Sequence, residues 1–515
     1  MPTYKNYIPD DKLLFPPNLG ELVPKGSRAR LISDIVEQLD LSDVHSSYSQ
    51  SPDGQPPYNP VMLMKVLLFG YMHNIFSTRG LEEALQRDVH LVWLSSYQFP
   101  DHSTISRFKT RCMPCIKKIF SSLVAILAKK GEIKLSEDLY IDGTTIKSRG
   151  ARRRIKWRES YEKYSAAADE AIQEAVKDLL EQVENGDKGE SREAQEHDGG
   201  YTVEEARHIA DEIEKRAKEE GLKGAAKKIK DVRAACDRKE AHDKVLEQCG
   251  DRCGISPTDP DCGIMHSKET DYKGSATPNY NVQAATQNQY VTNYDACDTP
   301  SDKDVTLEFV DLCTEENGGK PKAVVADAGY GSEEVYVGLK EREIEAVVKF
   351  PNYDKIAGRR PVKEGEYDKY GWRLAKDQDT AICPAGKLLR VVETKEDFTK
   401  RGFRSDISIM ACDHCEGCPF LAECQLQKNE DKQIRRKLGN MREEEKALAR
   451  LSTEENQERL RRRSLEPEPV FGQLKHNHGY TQFRHFGKSK VIMDLGFEFM
   501  ALNILKLHKK QQKPA

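Results

Sequence analysis

The sequence predicts an α/β chain whose all-helical N-terminal segment precedes a core of alternating strands and helices, and three observations carry that prediction. Residues up to about 135 read as helical. From about 136, short apolar runs bounded by turn residues alternate with helical stretches. Two long segments, 158–263 and 351–464, interrupt that alternation with a different composition.

Within the helical segment, Asn59 followed by Pro60 makes a helix start with proline at the first position, where its missing N–H costs nothing. Val61, Leu63, Met64, Leu67, Leu68 and Tyr71 then give that helix an apolar side. The run Phe99-Pro-Asp-His-Ser-Thr-Ile-Ser-Arg-Phe-Lys-Thr-Arg111 predicts an N-capped helix presenting Ser103, Ser106, Arg107, Lys109 and Arg111. Such a face suits groove reading or phosphate gripping. The same residues also suit an ordinary solvated helix.

Farther on, strands are expected at 139–141, 280–286 and 290–295, a helix at 304–316, a strand at 323–326, a helix at 332–341, a strand at 345–350 and a final helix from about Glu468. Three strands, helix, strand, helix, strand, helix is the order of a ribonuclease-H-like fold, in which the first and fourth strands lie side by side. The expected organisation is a helical unit at 1–135, a catalytic core from 136–157, 264–350 and 465–510, a charged helical insertion at 158–263, and a second insertion at 351–464. The first insertion is rich in Glu, Lys and Ala, with Ile172, Val176, Leu179, Leu180 and Val183 at helical spacing, and reads as a long hairpin or coiled-coil-like excursion.

At 515 residues the chain should hold about three domains. Hydrophobic residues make up 37% and charged residues 32%, with a mean hydropathy of -0.72, so parts of it must be solvated helix or loop. The net charge of -4 hides segregation, because Arg152-Arg-Arg-Ile-Lys-Trp-Arg158 and Arg459-Leu-Arg-Arg-Arg463 concentrate positive charge. Basic runs of this kind supply the sequence-independent phosphate attraction of nucleic-acid binding, although many are simply solvated faces. The polar opening Met1-Pro-Thr-Tyr-Lys-Asn-Tyr lacks a signal-like apolar region, and the apolar run at 61–69 is broken by Lys65, so a soluble cytoplasmic protein with no membrane partner is expected.

Three acids stand out: Asp142 in Leu139-Tyr-Ile-Asp-Gly-Thr-Thr, Asp327 in Ala323-Val-Val-Ala-Asp-Ala-Gly-Tyr-Gly, and Glu468 in Glu468-Pro-Val-Phe-Gly-Gln-Leu-Lys. In the first two, a short apolar run ends in a carboxylate followed closely by glycine, which aims the side chain out of a buried strand's end. An Asp there also serves as a turn former. Two carboxylates on neighbouring strands and one on a helix can share a pair of Mg²⁺ ions about 3.5–4 Å apart, suited to in-line attack on phosphodiesters. Glu466 competes with Glu468 for the third place. Glu468 is preferred because Lys475, seven residues on, shares its helix face, whereas Gln473 holds that place for Glu466.

Cys412-x2-Cys415-x2-Cys418-x5-Cys424, with Cys383-Pro-Ala-Gly-Lys upstream, has the spacing of a structural Zn²⁺ site and offers five thiols for four places. Buried reduced thiols or an iron–sulfur cluster are the alternatives. Cys112-Met-Pro-Cys115 is a lone pair and reads as core thiols. The thirteen cysteines are expected to be reduced.

At these residues the sequence resembles bacterial insertion-sequence transposases of the DDE type. The resemblance is carried by Tyr58-Asn-Pro-Val-Met-Leu-Met-Lys, Phe99-Pro-Asp-His-Ser-Thr-Ile-Ser-Arg-Phe, Ile141-Asp-Gly-Thr, Tyr280-Asn-Val-Gln, Ala326-Asp-Ala-Gly-Tyr-Gly, the cysteine cluster and Glu468-Pro-Val-Phe-Gly-Gln-Leu-Lys. It implies a ribonuclease-H-like catalytic domain with the triad on Asp142, Asp327 and Glu468, two catalytic Mg²⁺ ions, and an N-terminal helical domain that recognises terminal inverted repeats in double-stranded DNA. It also implies strand cleavage, joining of the freed 3′-hydroxyl to target DNA, and a homodimer in the synaptic complex. Related enzymes carry a Tyr-Arg-Glu-Lys signature around the glutamate. Here Glu468 and Lys475 match, Ser464 stands where the tyrosine would be, and Arg461, Arg462 and Arg463 lie close by. Phosphate contacts are expected from Lys475, Arg462, Arg463, Arg107, Lys109, Arg111, Arg152, Arg153 and Arg154. A catalytically silent DNA-binding descendant and a hydrolysis-only nuclease of the same fold are the competing readings.

Overall fold

A computed structural model describes residues 18–48, 56–184, 200–220, 224–266, 275–358, 373–377, 379–383, 385–412, 418–419 and 433–512. The organising element is a six-stranded mixed sheet. In chain order the strands are β1 (Leu139–Lys147), β2 (Lys156–Trp157), β3 (Gly254–Ile255), β4 (Gly263–His266), β5 (Ala276–Gln287), β6 (Tyr290–Cys297), β7 (Ala323–Ala326) and β8 (Glu345–Val348). The sheet runs β4-β5-β1-β7-β8, with β6 also on β5, while β2 and β3 pair separately. The β5–β6 hairpin turns through Asn288 and Gln289, both at positive φ, as a two-residue turn matched to strand twist requires.

β1 is the hinge of this sheet. It pairs antiparallel with β5 along most of its length but parallel with β7 only through Leu139↔Val324 and Tyr140↔Val325. The expected strand at 139–141 therefore continues to Lys147, and Asp142 sits within the strand where β1 parts from β7.

Two hydrophobic cores meet at that parting. One is built from the N-terminal helices, the antiparallel strands and the helix Lys488–Gln511. Val491, Leu495, Phe499 and Leu502 of that helix are buried, as their spacing predicts, and Asn503 bonds both the N–H and the C=O of Val291 at 2.8 Å. The other core packs β7 and β8 against helices Asp302–Asn317, Glu333–Glu341, Leu438–Leu451 and Glu454–Arg463. The last two helices fall within the segment expected as the second insertion, yet Ala447, Leu451 and Leu460 join the sheet's core.

The helix Pro60–Met72 starts at Asn59 with proline in its first turn, as expected. It is apolar on nearly all sides rather than one, because it lies between the helices Arg28–Val36 and Lys488–Gln511. The charged insertion is three helices, not a hairpin: Arg158–Glu184, Val203–Glu220 and Ala225–Cys249 share a core of Ile172, Val176, Leu179, Ile213, Ile229 and Val232. The cysteine-bearing segment contributes β9 (Arg373–Leu374), β10 (Ala381–Ile382), β11 (Arg390–Lys395), β12 (Ile407–Ala411) and β13 (Gln433–Arg436), the last three forming one small sheet. No long helix begins at Glu468. A helix Pro467–Gly472 runs into a π-turn, Gln473–Asn477, and the long helix starts only at Lys488. Among the described residues no helix is long and apolar enough to cross a membrane.

The N-terminal helices are fixed to the C-terminal helix by buried charge as well as apolar contact. Asp494, 1% exposed, accepts from Tyr71 and Tyr480 and pairs with Lys109 at 3.2 Å, and Lys109 also donates to Tyr71 at 2.7 Å. Removing one partner of such a pair strands the other charge in low dielectric. Lys109→Met should lower stability by about 3–5 kcal/mol in urea unfolding, and adding Asp494→Leu should recover part of it. A double variant no more stable than Lys109→Met would show that the pair does not carry this junction.

Candidate active site

The sheet register brings Asp142 and Asp327 to one level. Tyr140 and Val325 are partners in the parallel pairing, and each acid lies two residues beyond its partnered position. Since side chains alternate along a strand and neighbouring strands are roughly 4.8 Å apart, the two carboxylates leave adjacent strands where these diverge. Each is braced by a backbone N–H: Gly143 donates to Asp142 Oδ1 at 3.0 Å and Gly329 to Asp327 Oδ1 at 2.8 Å.

Glu468 comes from the first turn of Pro467–Gly472, which packs on β1. Arg463 joins it to Asp142: its Nη2 donates to Glu468 Oε1 at 3.1 Å, and its Nη1 lies 4.0 Å from Asp142 Oδ2. Glu466 has a different role. It is 4% exposed, accepts from the Gln289 N–H at 2.7 Å and pairs with Arg462 at 3.2 Å, which anchors the chain to the β5–β6 turn. Of the two glutamates, Glu468 is the one that Arg463 links to Asp142.

The structure also brings in a carboxylate that the sequence reading passed over. Asp302 opens the helix Asp302–Asn317, and its Oδ1 accepts from Asn281 Nδ2 and Gln283 Nε2, both at 2.8 Å. A Cβ on Gly143 would stand 2.5 Å from Gln283 Nε2 and 2.6 Å from Asp302 Oδ1, so glycine after Asp142 leaves the room that Asp302 occupies. Ser301-Asp302-Lys-Asp304 looks like any capped helix start, and only the polar pair Asn281 and Gln283 on a buried strand could have signalled it.

Electrostatics set the acids apart from surface carboxylates. Burial pushes the Asp142 carboxyl up to about 6; Arg463 opposes this, and the charges of Asp327 and Asp302 reinforce it. Asp302 is raised by burial, against its amide hydrogen bonds, with Asp327 adding to the rise. Among the described residues, no three Asp, Glu, His or Cys side chains converge closely enough to hold a metal ion as they stand. Arg463 is the physical reason at Glu468, since its guanidinium stands where a cation between Glu468 and Asp142 would be.

The expected phosphate contacts divide. Arg107 is exposed on the helix His102–Cys112, capped by Asp101 as predicted, and shares its open face with Ser103, Ser106 and Thr110. Lys109 is corrected: it is 5% exposed and spent on Asp494, so it cannot reach a phosphate in this conformation. Arg111 stacks on Tyr48 at 4.3 Å and donates to the Ser47 carbonyl at 2.7 Å. Arg462 lies over Tyr140, 5.6 Å from its ring centre. Lys475 is half-buried in the π-turn, which breaks the continuous helix on which its alignment with Glu468 was argued. Arg153 and Arg154 are exposed on a short turn after β1; the side chain of Arg152 lies outside the described residues.

Cys415 and Cys424 also lie outside the described residues. Cys383 is buried beside Leu389, Met410 and Leu438 with Cys412 packed against that cluster, and the described thiols form no metal-binding group, so zinc gains no support. Cys112 and Cys115 are buried core thiols, as read from the sequence.

Residues 382–508 match a family model described as a transposase DDE domain, and residues 17–111 match one described as a transposase domain (DUF772). The chain is therefore similar to insertion-sequence transposases of the DDE type, and the two matches indicate a transposase. The first match covers Arg463, Glu468 and Lys475 and the second covers Arg107 and Arg111, while Asp142 and Asp327 lie between them. No curated protein matches the chain.

The raised Asp142 carboxyl has a pH consequence whose sign is fixed. Its folded value of about 6 lies above the ordinary 3.8, so its contribution to stability is fully present below about 3.8 and lost as pH rises through 6. In metal-free buffer Asp142→Asn should remove a loss on the order of 2 kcal/mol between pH 4 and pH 7, read as a smaller shift in the urea midpoint than wild type shows. Equal shifts in the two proteins would refute the assignment.

Proposed function

We propose that this chain is a DNA transposase that binds the terminal inverted repeats of its own mobile element, cuts the ends and joins the freed 3′-hydroxyl to target DNA. The observation that carries the reading is that Asp142 and Asp327 leave adjacent strands where β1 and β7 diverge and that Arg463 links Asp142 to Glu468, in a chain with matches to two transposase domains. The strand order β6-β5-β1-β7-β8, with helices after β6 and β7, supports a ribonuclease-H-like catalytic core. The domain limits inferred above are retained as part of this proposal, with the helices at 438–463 reassigned to the core.

DDE transposases generally use divalent metal ions. The donor set fits Mg²⁺, which prefers carboxylate oxygens and keeps water and phosphate ligands. Arg463, already paired with Glu468, marks a place where positive charge is favoured. Asp142, Asp327 and Glu468 would hold the pair of ions. Bound there, the ions would supply Lewis-acid polarisation of the scissile phosphate and a more acidic water or 3′-hydroxyl.

The chain's own residues account for the rest. Asp142 and Asp327, at a fixed level on two strands, would set where the ions and hence the phosphate sit, and Glu468 would close the site from the helix. Arg463, which lies between Glu468 and Asp142, would stabilise negative charge developing on the phosphate oxygens. Arg107, with the serines and threonine beside it, contacts the element end, and Arg153 and Arg154 grip backbone phosphates. Pairing of two ends would use a homodimer.

The test is cleavage of a DNA fragment carrying the inverted repeats that flank the gene, with purified protein and Mg²⁺. Asp142→Asn, Asp327→Asn and Glu468→Gln should each lower cutting by roughly a hundredfold or more while the protein remains folded, whereas Glu466→Gln should lower stability and leave chemistry largely intact. Full cleavage by any of the three would remove that residue from the site. Specific binding without cutting by wild type would favour a silent DNA-binding protein, and cutting without joining a hydrolytic nuclease.

Arg107→Ala should weaken binding to repeat DNA and reduce the salt dependence by about one counterion, measured by fluorescence anisotropy across salt concentrations. An unchanged salt slope would place DNA on another face.

A further inference from the structure

We infer that Arg149 binds a backbone phosphate of the element-end duplex, held ready for it by Phe486 and the Arg484 carbonyl. The inference rests on the proposed DNA reading and adds a contact at the end of β1 away from the acids.

The chain after Asp142 is one-sided in charge. Gly143 to Arg158 contains seven Lys or Arg residues and no Asp or Glu. Its first part is β1 itself, so the strand that carries Asp142 leads directly into this basic run. Arg149 lies just past the strand's end. A distant stretch of chain braces the place: the backbone of Thr481 and Phe483 bonds both sides of Lys147, and Gln482 Nε2 donates to the Ser148 carbonyl at 3.1 Å.

Arg149 is exposed, yet its guanidinium is held. Nη1 donates to the Arg484 carbonyl at 3.1 Å, and the group lies over the Phe486 ring, 5.5 Å from its centre. Neither contact cancels the positive charge. An arginine kept only to fix this turn would gain more from a carboxylate. The carboxylates beside the turn, Asp259 and Asp261, accept instead from the Gly487 and Lys488 N–H groups at 3.0 and 2.8 Å. Among the described residues Arg149 pairs with no acid, and its Nε and Nη2 donate to nothing. An oriented fork with its charge and two donor nitrogens unused matches the oxygens of a phosphate.

A single small anion would need one such group, whereas a polyanion gains from several. Arg153 and Arg154, exposed on the turn that follows, extend the positive surface toward a nucleic-acid backbone. Arg149 stands seven residues beyond Asp142, at most roughly 23 Å of extended backbone. With the arginine's own reach added, its phosphate should lie within about ten nucleotide steps of the repeat end.

The experiment measures binding of the full-length protein, without divalent metal, to a duplex ending in the inverted repeat, by fluorescence anisotropy across salt concentrations. Neutral methylphosphonates replace single phosphates along the repeat, and wild type is compared with Arg149→Gln and Arg149→Ala. Thermal unfolding checks each fold, and a folding failure in one variant leaves the other as the test. A folded variant should bind about tenfold more weakly, with a salt dependence reduced by about one counterion. One methylphosphonate within about ten nucleotides of the end should weaken wild type and leave the variant unchanged, a coupling that loss of a merely structural bond would not produce. An unchanged salt slope, with equal methylphosphonate effects in wild type and both variants, would overturn this inference and leave the DNA reading intact. Wild type that binds the repeat no better than a duplex of scrambled sequence, and is indifferent to every methylphosphonate, would overturn the two together.

Discussion

Two residue pairs, Leu139 with Val324 and Tyr140 with Val325, join the antiparallel and parallel halves of the main sheet. Everything at the candidate site depends on that narrow seam. A longer parallel pairing would carry Asp142 and Asp327 into a continuous hydrogen-bonded ladder and bury them in a closed sheet. Because β1 leaves β7 directly after Tyr140 and goes on beside β5, Asp142 and Asp327 stand two residues on, where the two strands have parted. Each half of the sheet is secured by its own core, so the seam does not need to be long.

Charge then accumulates where the sheet parts. The charges of Asp327 and Asp302 help raise the Asp142 carboxyl and that of Asp327 helps raise Asp302, while Arg463 pairs with Asp142 and Glu468. Holding carboxylates together in a partly dry place opposes stability, and proteins retain such arrangements where the site has a use for them. Among the described residues these acids do not converge on a common point, and no cation pairs with Asp302 or Asp327 there.

The elements were legible where local chemistry dictates them. Asn59-Pro60 and Asp101 give helix starts because capping is settled within a turn, and Ala323–Ala326 is a strand because a short apolar run between turns can be little else. Asp142, Asp327 and Glu468 could be picked out because each is embedded in a distinctive local run. What the sequence concealed depends on partners far along the chain. Lys109 reads as a surface base until Asp494, 385 residues later, is found beside it in the core. Asp302 reads as a helix start until Asn281 and Gln283 are found bonded to it. The π-turn after Glu468 has no clear signal, since Gln-Leu-Lys-His-Asn is compatible with ordinary helix.

Glu468 raises a mechanical question, because a six-residue helix is too short to hold a side chain in place by itself. Both its flanks are tied down. Upstream, Arg459 pairs with Asp138 and Glu345 at 2.9 Å each, and Glu466 is bonded into the β5–β6 turn. Downstream, the backbone at Thr481 and Phe483 bonds both sides of Lys147 at the end of β1, at 3.2 and 2.9 Å, and Tyr480 reaches Asp494. The glutamate is thus strung between the two ends of the very strand that carries Asp142. Asp494 is also where Lys109 ends, on the helix whose opposite face exposes Ser103, Ser106 and Arg107. One buried carboxylate therefore fixes the segment after Glu468 and the exposed N-terminal helix relative to each other, so a duplex held on that helix would meet the acids at a set distance and not through a flexible tether.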